Sequence, residues 1–339
     1  MRALVITAHG APEVLRVEQR PDPTPGIGQV RVAVKAAGIN FADVMARMGL
    51  YPDAPKLPSV VGYEFSGVVE SLGSDVAGVA VGDRVLGGSR FGGYAEYVVT
   101  DAEQLIPLPA DWSFEEGAAF PVNYATAYAG LCRYGAMISG ERVLLHAAAG
   151  GVGIAATQIA KLVGAEVFGT ASPSKHEAIR GFGVDHPIDY RDKDFVKEIR
   201  RMTGAKEPLD IVMDAVGGSS FRRSFSLLGA GGRLVCFGAS SFVSGEKRNV
   251  IRALRGVVET PWFNPMRLMP PSKSVIGLNM LTLWDAKGSL HEYIQPLSEW
   301  IAAGSLRPVV AEAFPLEQGP EAHRFIQERK NVGKVVLTL

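Results

Sequence analysis

The sequence predicts an α/β fold in two parts, a compact β-rich region followed by a doubly wound parallel sheet. Three observations predict it. Short apolar runs broken by Gly and Pro fill the first 120 residues. From about Asn123 onward, strand-like apolar runs alternate with segments of helical composition. Within that second part, one glycine-rich turn joins a strand directly to a helix.

In chain order, Met1–Ile6 reads as a first strand, too short for the apolar core of a signal peptide. Val30–Val34, Ser66–Leu72 and Tyr94–Val99 read as further strands, separated by turn signals such as Pro23–Gly26 and Gly82-Asp83. Arg142–His146, Glu166–Thr170, Ile188–Tyr190, Leu209–Asp214, Gly232–Phe237 and Val275–Leu278 form the parallel series. Ile154–Val163, Ser174–Gly181 and Asp194–Thr203 are its helical connections. His291–Ala303 is an amphipathic helix that Pro296 kinks or divides, ending at Gly304. Two short strands with a helix between them close the chain.

Composition narrows the function classes. The 339 residues suffice for two domains. Lys plus Arg (35) equals Asp plus Glu (35), which leaves no basic footprint for nucleic acid and no polybasic membrane tether. Cys132 and Cys236 are the two cysteines, too few for a disulfide framework or a four-cysteine zinc site. Two unpaired thiols suit a reducing cytosol, so a cytoplasmic location is expected. No apolar run reaches the roughly 18 residues of a transmembrane helix.

The chemistry concentrates in Val143–Ala156, where a strand feeds a tight turn that opens a helix. Backbone N–H groups at such a helix start, here Ala149, Gly150, Gly151, Val152 and Gly153, point at a dinucleotide pyrophosphate, and the helix dipole favours its charge. Gly150 permits close approach of the phosphate, and Gly153 permits close packing of helix on strand. The usual first glycine is Ala147, giving Ala147-x-x-Gly150-x-x-Gly153. At the end of the next strand a carboxylate would bond the ribose 2′-hydroxyl of NAD, yet Ala171 stands there. Ser172 and Lys175 follow and suit a 2′-phosphate, with Tyr190 and Arg191 closing the same pocket. NADPH is therefore the expected cofactor; the bland alternative for Lys175 is a solvated lysine at a helix start. Phe237 and Gly238, ending the fifth strand of the series, fit the cofactor edge.

Ala36–Asp43, Gly49–Pro52, Val81–Arg84, Phe120–Tyr128 and the Ala-x-x-Gly-x-x-Gly turn resemble the quinone oxidoreductase branch of the medium-chain dehydrogenase/reductase superfamily, along the whole chain. Gly169–Glu177, His186–Tyr190, Lys247–Asn249 and Lys330–Lys334 are most similar to homologues of the vesicle amine transport protein. The turn also resembles polyketide enoyl reductase domains. The resemblance implies a GroES-like catalytic domain (1–122), an inserted Rossmann domain (123–281) and a return to the catalytic domain (282–339). It also implies a homodimer joined through the Rossmann sheets, by the strand Val275–Leu278.

The zinc branch of that superfamily has a Cys where Asn40 stands and a His where Tyr63 stands. Glu64 matches the zinc-branch pattern, but one carboxylate cannot make a site. His9, His146, His176, His186, His291 and His323 read as scattered surface or turn residues, none paired at ligand spacing. No zinc is expected. A carbonyl must then be polarised by hydrogen bonds, which suits reduction of a quinone or an α,β-unsaturated carbonyl.

The resemblance implies roles at three catalytic candidates. Tyr51 matches the catalytic tyrosine of enoyl thioester reductases and would bind the substrate oxygen or donate a proton; the alternative is a packed loop residue. Asn40 would donate its amide to the same oxygen. Asp43 would hold Asn40 or the nicotinamide side in register, or simply start a helix. Met45 stands where the branch often has a second tyrosine, which implies a more apolar pocket and a small hydrophobic carbonyl substrate. Asn123 and Thr126 match residues beside the nicotinamide, and Asn331 and Lys334 would reach the ribose and phosphates, unless Lys334 is an exposed strand lysine. Ser240–Lys273 mixes apolar and basic character and reads as a lid, a lipid-contacting segment or an ordinary loop, so membrane contact stays open. Two other readings stand beside the quinone or enone reductase: an enoyl thioester reductase, and an NADPH-binding interaction or lipid-transfer protein with little turnover.

Overall fold

A computed structural model describes residues 1–243, 245 and 250–339; the likeness at Lys247–Asn249 lies outside the described residues. The first part contains β1 (Arg2–Ile6), β2 (Leu15–Gln19), β3 (Gln29–Ile39), β4 (Ser59–Val60), β5 (Glu64–Leu72), β6 (Arg84–Gly88), β7 (Tyr97–Asp101) and β8 (Leu105–Pro107). Helices α1 (Phe41–Arg47), α2 (Phe114–Ala118) and α3 (Pro121–Tyr128) belong to the same stretch. Then come β9 (Arg142–Leu145), α4 (Gly151–Val163), β10 (Glu166–Ala171), α5 (His176–Gly181), β11 (His186–Asp189), α6 (Phe195–Thr203), β12 (Leu209–Asp214), α7 (Ser219–Phe225) and β13 (Leu228–Cys236). They are followed by α8 (Val250–Glu259), α9 (Pro265–Leu268), β14 (Ser274–Gly277) and α10 (Met280–Lys287). The chain closes with α11 (His291–Ile294), α12 (Ser298–Ala302), β15 (Val310–Pro315), α13 (Gly319–Gln327) and β16 (Lys334–Thr338).

Among the described residues these strands form three sheets. The order β11-β10-β9-β12-β13-β14 is parallel throughout. Its central strands β9, β10 and β12 are buried nearly end to end, as helices on both faces require. The second sheet runs β15-β16-β3-β5-β6-β8, with β7 also on β3, so both ends of the chain build it. The first half of β3 alternates buried with partly exposed residues, the period-2 pattern of a strand with one face on a core. A small sheet β2-β1-β4 completes the set.

The α/β class matches the sequence expectation, and so does the series of parallel strands. Some boundaries differ for identifiable reasons. Strand β13 starts at Leu228 rather than Gly232, because a register shift opposite Leu209 and Ile211 accommodates the glycines of 229–232. Tyr94 lies outside β7; its N–H bonds the Val61 carbonyl and its own carbonyl accepts from Leu4 instead. The helix expected over His291–Ala303 is divided: Pro296 lacks an N–H, and a 3₁₀ turn over Gln295–Leu297 separates α11 from α12.

The strand order reverses between β10 and β12 on either side of β9. Ligands of doubly wound sheets bind in the crevice outside the carboxyl ends at such a point.

Candidate active site

The glycine turn leaves β9 at that crevice. Ala147 takes φ +55°, the left-handed conformation that the usual glycine would adopt freely. Gly150 is an extended N-cap and α4 has no side-chain cap, so the orphan N–H groups of its first turn remain available to an anion. A Cβ on Gly153 would lie 2.5 Å from the Ala147 carbonyl oxygen, so only glycine lets helix and turn meet this closely. The loop before β16 is tied to the turn: Gly333 N–H donates to the Ala149 carbonyl at 2.9 Å.

A cavity of about 740 Å³ starts at this turn. Ala149, Gly150, Gly151, Val152 and Gly153 line its middle. Ser172, Lys175 and Tyr190 line one end, and Asn123, Thr126, Phe237 and Gly238 line the wall toward the other. Asn331 and Lys334 reach it from the closing segment of the chain, and Asn40 and Tyr51 from the β-rich part. Asp43 and Arg191, both sequence candidates, stand outside the lining.

The Ser172 end is more cationic than the sequence reading foresaw. Lys193 and Arg329 also line it. The Arg329 guanidinium sits 5.8 Å from the Tyr190 ring centre. Burial opposes ionisation of the Tyr190 phenol, but Arg329 and Arg191 overcome it and pull the phenol below its ordinary value. Lys175 is no freely solvated lysine: its Nζ donates to the Arg329 carbonyl at 2.7 Å and the Asn331 carbonyl at 2.6 Å. Burial pushes its ammonium down from the ordinary lysine value.

Deeper in the cavity the polar side chains are locked together. Asn40 Oδ1 accepts from Lys334 Nζ at 2.7 Å, and Asn40 Nδ2 donates to Glu64 Oε1 at 2.9 Å. Lys334 also pairs with Glu64, whose other oxygen accepts from Val122 N–H at 2.7 Å at the start of α3. Lys334 is only 4% exposed, which removes the exposed-strand alternative. Asn40 lines the cavity with one of its two amide hydrogens given to Glu64, which leaves the other for a ligand. Glu64, passed over as a lone carboxylate, is the hub that fixes it. The signal was present in sequence as an acidic residue directly before a strand-forming apolar run.

Asp43 combines both of its sequence readings. It is N3 of α1 in a capping box with Asn40, and it accepts from the Asn40 N–H at 2.8 Å and from the Tyr94 hydroxyl at 2.7 Å. It is a positioning residue. Burial pushes its carboxyl up to about 6, against the opposing pull of those hydrogen bonds and of Lys334. Tyr51 and Tyr63 line the apolar end with Met45, Leu281 and Trp284. Burial pushes both phenols up, so each stays protonated. On α3, Asn123 Nδ2 donates to the Ala119 carbonyl at 2.9 Å and Thr126 Oγ1 to the Val122 carbonyl at 2.6 Å.

Two histidines read as surface or turn residues are buried. His146 directly follows β9, lines the cavity, and bonds Thr170 Oγ1 at 3.1 Å and Ser224 Oγ at 3.0 Å. His323 is fully enclosed in α13, because the inner face of that helix packs on β16 and β15. Burial lowers both imidazoles.

From Ser240 to Lys273 the described residues form a 3₁₀ turn (Ser240–Phe242), α8 and α9. Ser240, Ser241 and Glu259 face the cavity, whereas Ile251, Leu254, Val257, Val258 and Trp262 (99% exposed) face outward. Among the described residues no three His, Cys, Asp or Glu side chains gather as a metal site, and no helix is long and apolar enough to cross a membrane.

Comparison with known proteins agrees with this fold. Residues 26–110 match the alcohol dehydrogenase GroES-like domain, and residues 182–337 match a zinc-binding dehydrogenase model. The chain is 40% identical over 339 residues to the synaptic vesicle membrane protein VAT-1 homolog of Danio rerio, spanning 99% of this chain and 70% of that protein. A solved NAD-dependent alcohol dehydrogenase is 35% identical at a TM-score of 0.84, with all of both chains covered. The Escherichia coli quinone oxidoreductase complexed with NADPH is 32% identical at a TM-score of 0.87, again covering all of both chains.

Proposed function

This chain belongs to the medium-chain dehydrogenase/reductase family, and on that premise we propose that it is a zinc-independent, NADPH-dependent reductase of quinones or α,β-unsaturated carbonyls. One observation carries the reading. A single cavity runs from a cationic end at Lys175, Lys193 and Arg329, past the glycine turn, to an apolar end at Tyr51, Met45 and Trp284. The first end suits a 2′-phosphate and the last a small hydrophobic carbonyl.

The donor set does not fit a catalytic zinc. Asn40 and Tyr63 stand at the positions that carry Cys and His in the zinc branch, and the neighbouring carboxylate of Glu64 is occupied by the Lys334 ammonium. The residues do fit a nicotinamide dinucleotide. When bound, its reduced ring supplies a hydride to an electron-poor carbon of the substrate. The orphan N–H groups of α4 hold the pyrophosphate, and Ser172, Lys175, Tyr190 and Arg329 hold the 2′-phosphate. Asn123, Thr126, Phe237 and Gly238 bound the nicotinamide pocket, and Asn331 reaches toward the ribose. Glu64 and Lys334 fix Asn40 against it, with Asp43 fixing the backbone of Asn40 from behind. Tyr51 remains a proton-bearing donor to the substrate oxygen. We place the protein in the cytoplasm and propose a homodimer joined at the open edge of β14, since an exposed edge strand invites pairing.

The test is anaerobic NADPH oxidation against 1,2-naphthoquinone, a panel of enones and an enoyl thioester, with and without a metal chelator. Turnover with a quinone or enone, unchanged by chelation, is the expected result. Preference for the thioester would move the assignment to an enoyl thioester reductase. No oxidation with any acceptor would reject both. The outward apolar row of α8 and Trp262 favours a second reading, an NADPH-binding protein that docks on lipid. That reading requires pelleting with liposomes together with negligible turnover, and fails if the protein stays in the supernatant.

A further inference from the structure

Tyr63 precedes β5 and is 5% exposed. Its position is well defined. The ring packs against Phe91 with centres 5.0 Å apart, and its carbonyl accepts from Ser89 N–H at 2.9 Å. The hydroxyl is buried with no partner at good hydrogen-bond geometry, its one polar neighbour being the Tyr51 hydroxyl, and the residue lines the cavity beside Tyr51. A buried hydroxyl without a partner carries its full desolvation penalty, and such groups gather where a ligand relieves it. The Tyr51 and Tyr63 hydroxyls are close enough to influence each other's ionisation, and both stay protonated at neutral pH. Two neutral O–H groups therefore border one apolar space, and the only side-chain oxygen competing for the Tyr63 proton is the neighbouring Tyr51 hydroxyl, which a substrate oxygen between them would replace.

We propose that Tyr63 is a substrate-contacting residue whose hydroxyl, with that of Tyr51, forms a two-donor site for the reacting oxygen of a conjugated ketone or quinone. The proposal rests on the reductase reading above. When such an acceptor receives a hydride at its conjugated carbon, its π electrons shift onto the carbonyl oxygen. Both hydroxyls hold that negative charge, and a solvent proton then completes the product. The position that a zinc ligand holds in related enzymes thus contributes a hydrogen bond to the same oxygen. Donors fixed in place before the reaction are the effective ones.

The test uses Tyr63→Phe and Tyr51→Phe in the full chain. Four quantities are read: kcat with 1,2-naphthoquinone and NADPH, Kd for NADPH, Kd for p-nitrophenolate as an oxyanion probe, and Tm. Removing one donor of an oxyanion site lowers kcat roughly 10²-fold. Tyr63→Phe is expected to show that loss, about tenfold weaker p-nitrophenolate binding, an NADPH Kd within about twofold of wild type, and a Tm equal or higher because an unsatisfied hydroxyl is gone. A purely structural Tyr63 would instead lower Tm and leave probe affinity alone. Wild-type kcat and wild-type probe affinity in Tyr63→Phe overturn the proposal. So does binding of the probe to the unmodified protein as neutral phenol, a measurement that needs no variant to fold. If the unmodified protein binds p-nitrophenolate through Tyr63 but reduces no acceptor, the reductase reading falls and the oxyanion donor stands.

Discussion

Ala147 holds φ +55°, a conformation that costs an L side chain about 1–2 kcal/mol. Ala147→Gly removes that strain and gives back part of it as lost chain entropy, roughly 0.5–1 kcal/mol. A small net gain, up to about 1 kcal/mol, is expected in a denaturant titration. The buried set of Lys334, Glu64 and Asn40 behaves in the opposite way. Lys334→Met leaves the Glu64 carboxylate enclosed without its cation, so a loss of about 3–5 kcal/mol is expected. Adding Glu64→Gln should recover much of it, which a double-mutant cycle measures. At this scale the sequence was partly legible. Gly153 announces its close contact by being glycine. Nothing in the local pattern around Lys334 says that its ammonium reaches Glu64, because the partner lies on a strand at the other end of the chain.

On the proposed function, the element that would decide coenzyme choice is the turn after β10, closed by the loop between α13 and β16. Lys175 is held there by the carbonyls of Arg329 and Asn331. Lys175→Ala and Arg329→Ala are each expected to weaken NADPH binding about tenfold or more while leaving NADH binding within about twofold, since only NADPH carries the 2′-phosphate. Calorimetric titration of both coenzymes checks this. Ser172, Lys175 and Tyr190 were readable because each follows a strand of the parallel series at its carboxyl end. Arg329 was not, because it belongs to the far end of the chain and arrives only through the pairing of β16 with β3. The division of the helix at Pro296 was readable from one residue, because the missing N–H is a local fact.

The whole molecule encloses two neutral imidazoles, His146 and His323. Burial lowers both below 6.5, the value they regain when unfolded. Their contribution is therefore complete above about pH 6.5. It is lost as pH falls below that, because the unfolded chain then binds protons that the folded chain refuses. Each contributes at most about 1.4 kcal/mol per pH unit. Asp43 opposes them: its carboxyl is raised from 3.8 to about 6, so between those values the folded protein holds the extra proton and stability falls with rising pH. With two groups against one, urea unfolding is expected to give lower stability at pH 5 than at pH 7.5, and His323→Leu should flatten the difference. The α/β class itself was legible because strands buried on both faces read as continuous apolar runs. How the closing segment returns to β3 and seals the cavity is a non-local pairing that no local period encodes.

The central claim is that one cavity joins a 2′-phosphate site to an apolar carbonyl site. Its most direct test is kcat/KM for NADPH against NADH with 1,2-naphthoquinone, measured on the unmodified protein after chelator treatment. Turnover that favours NADPH at least about tenfold is expected from the cationic end at Lys175 and Arg329. Equal use of the two coenzymes, preference for NADH, or dependence on added zinc would contradict it.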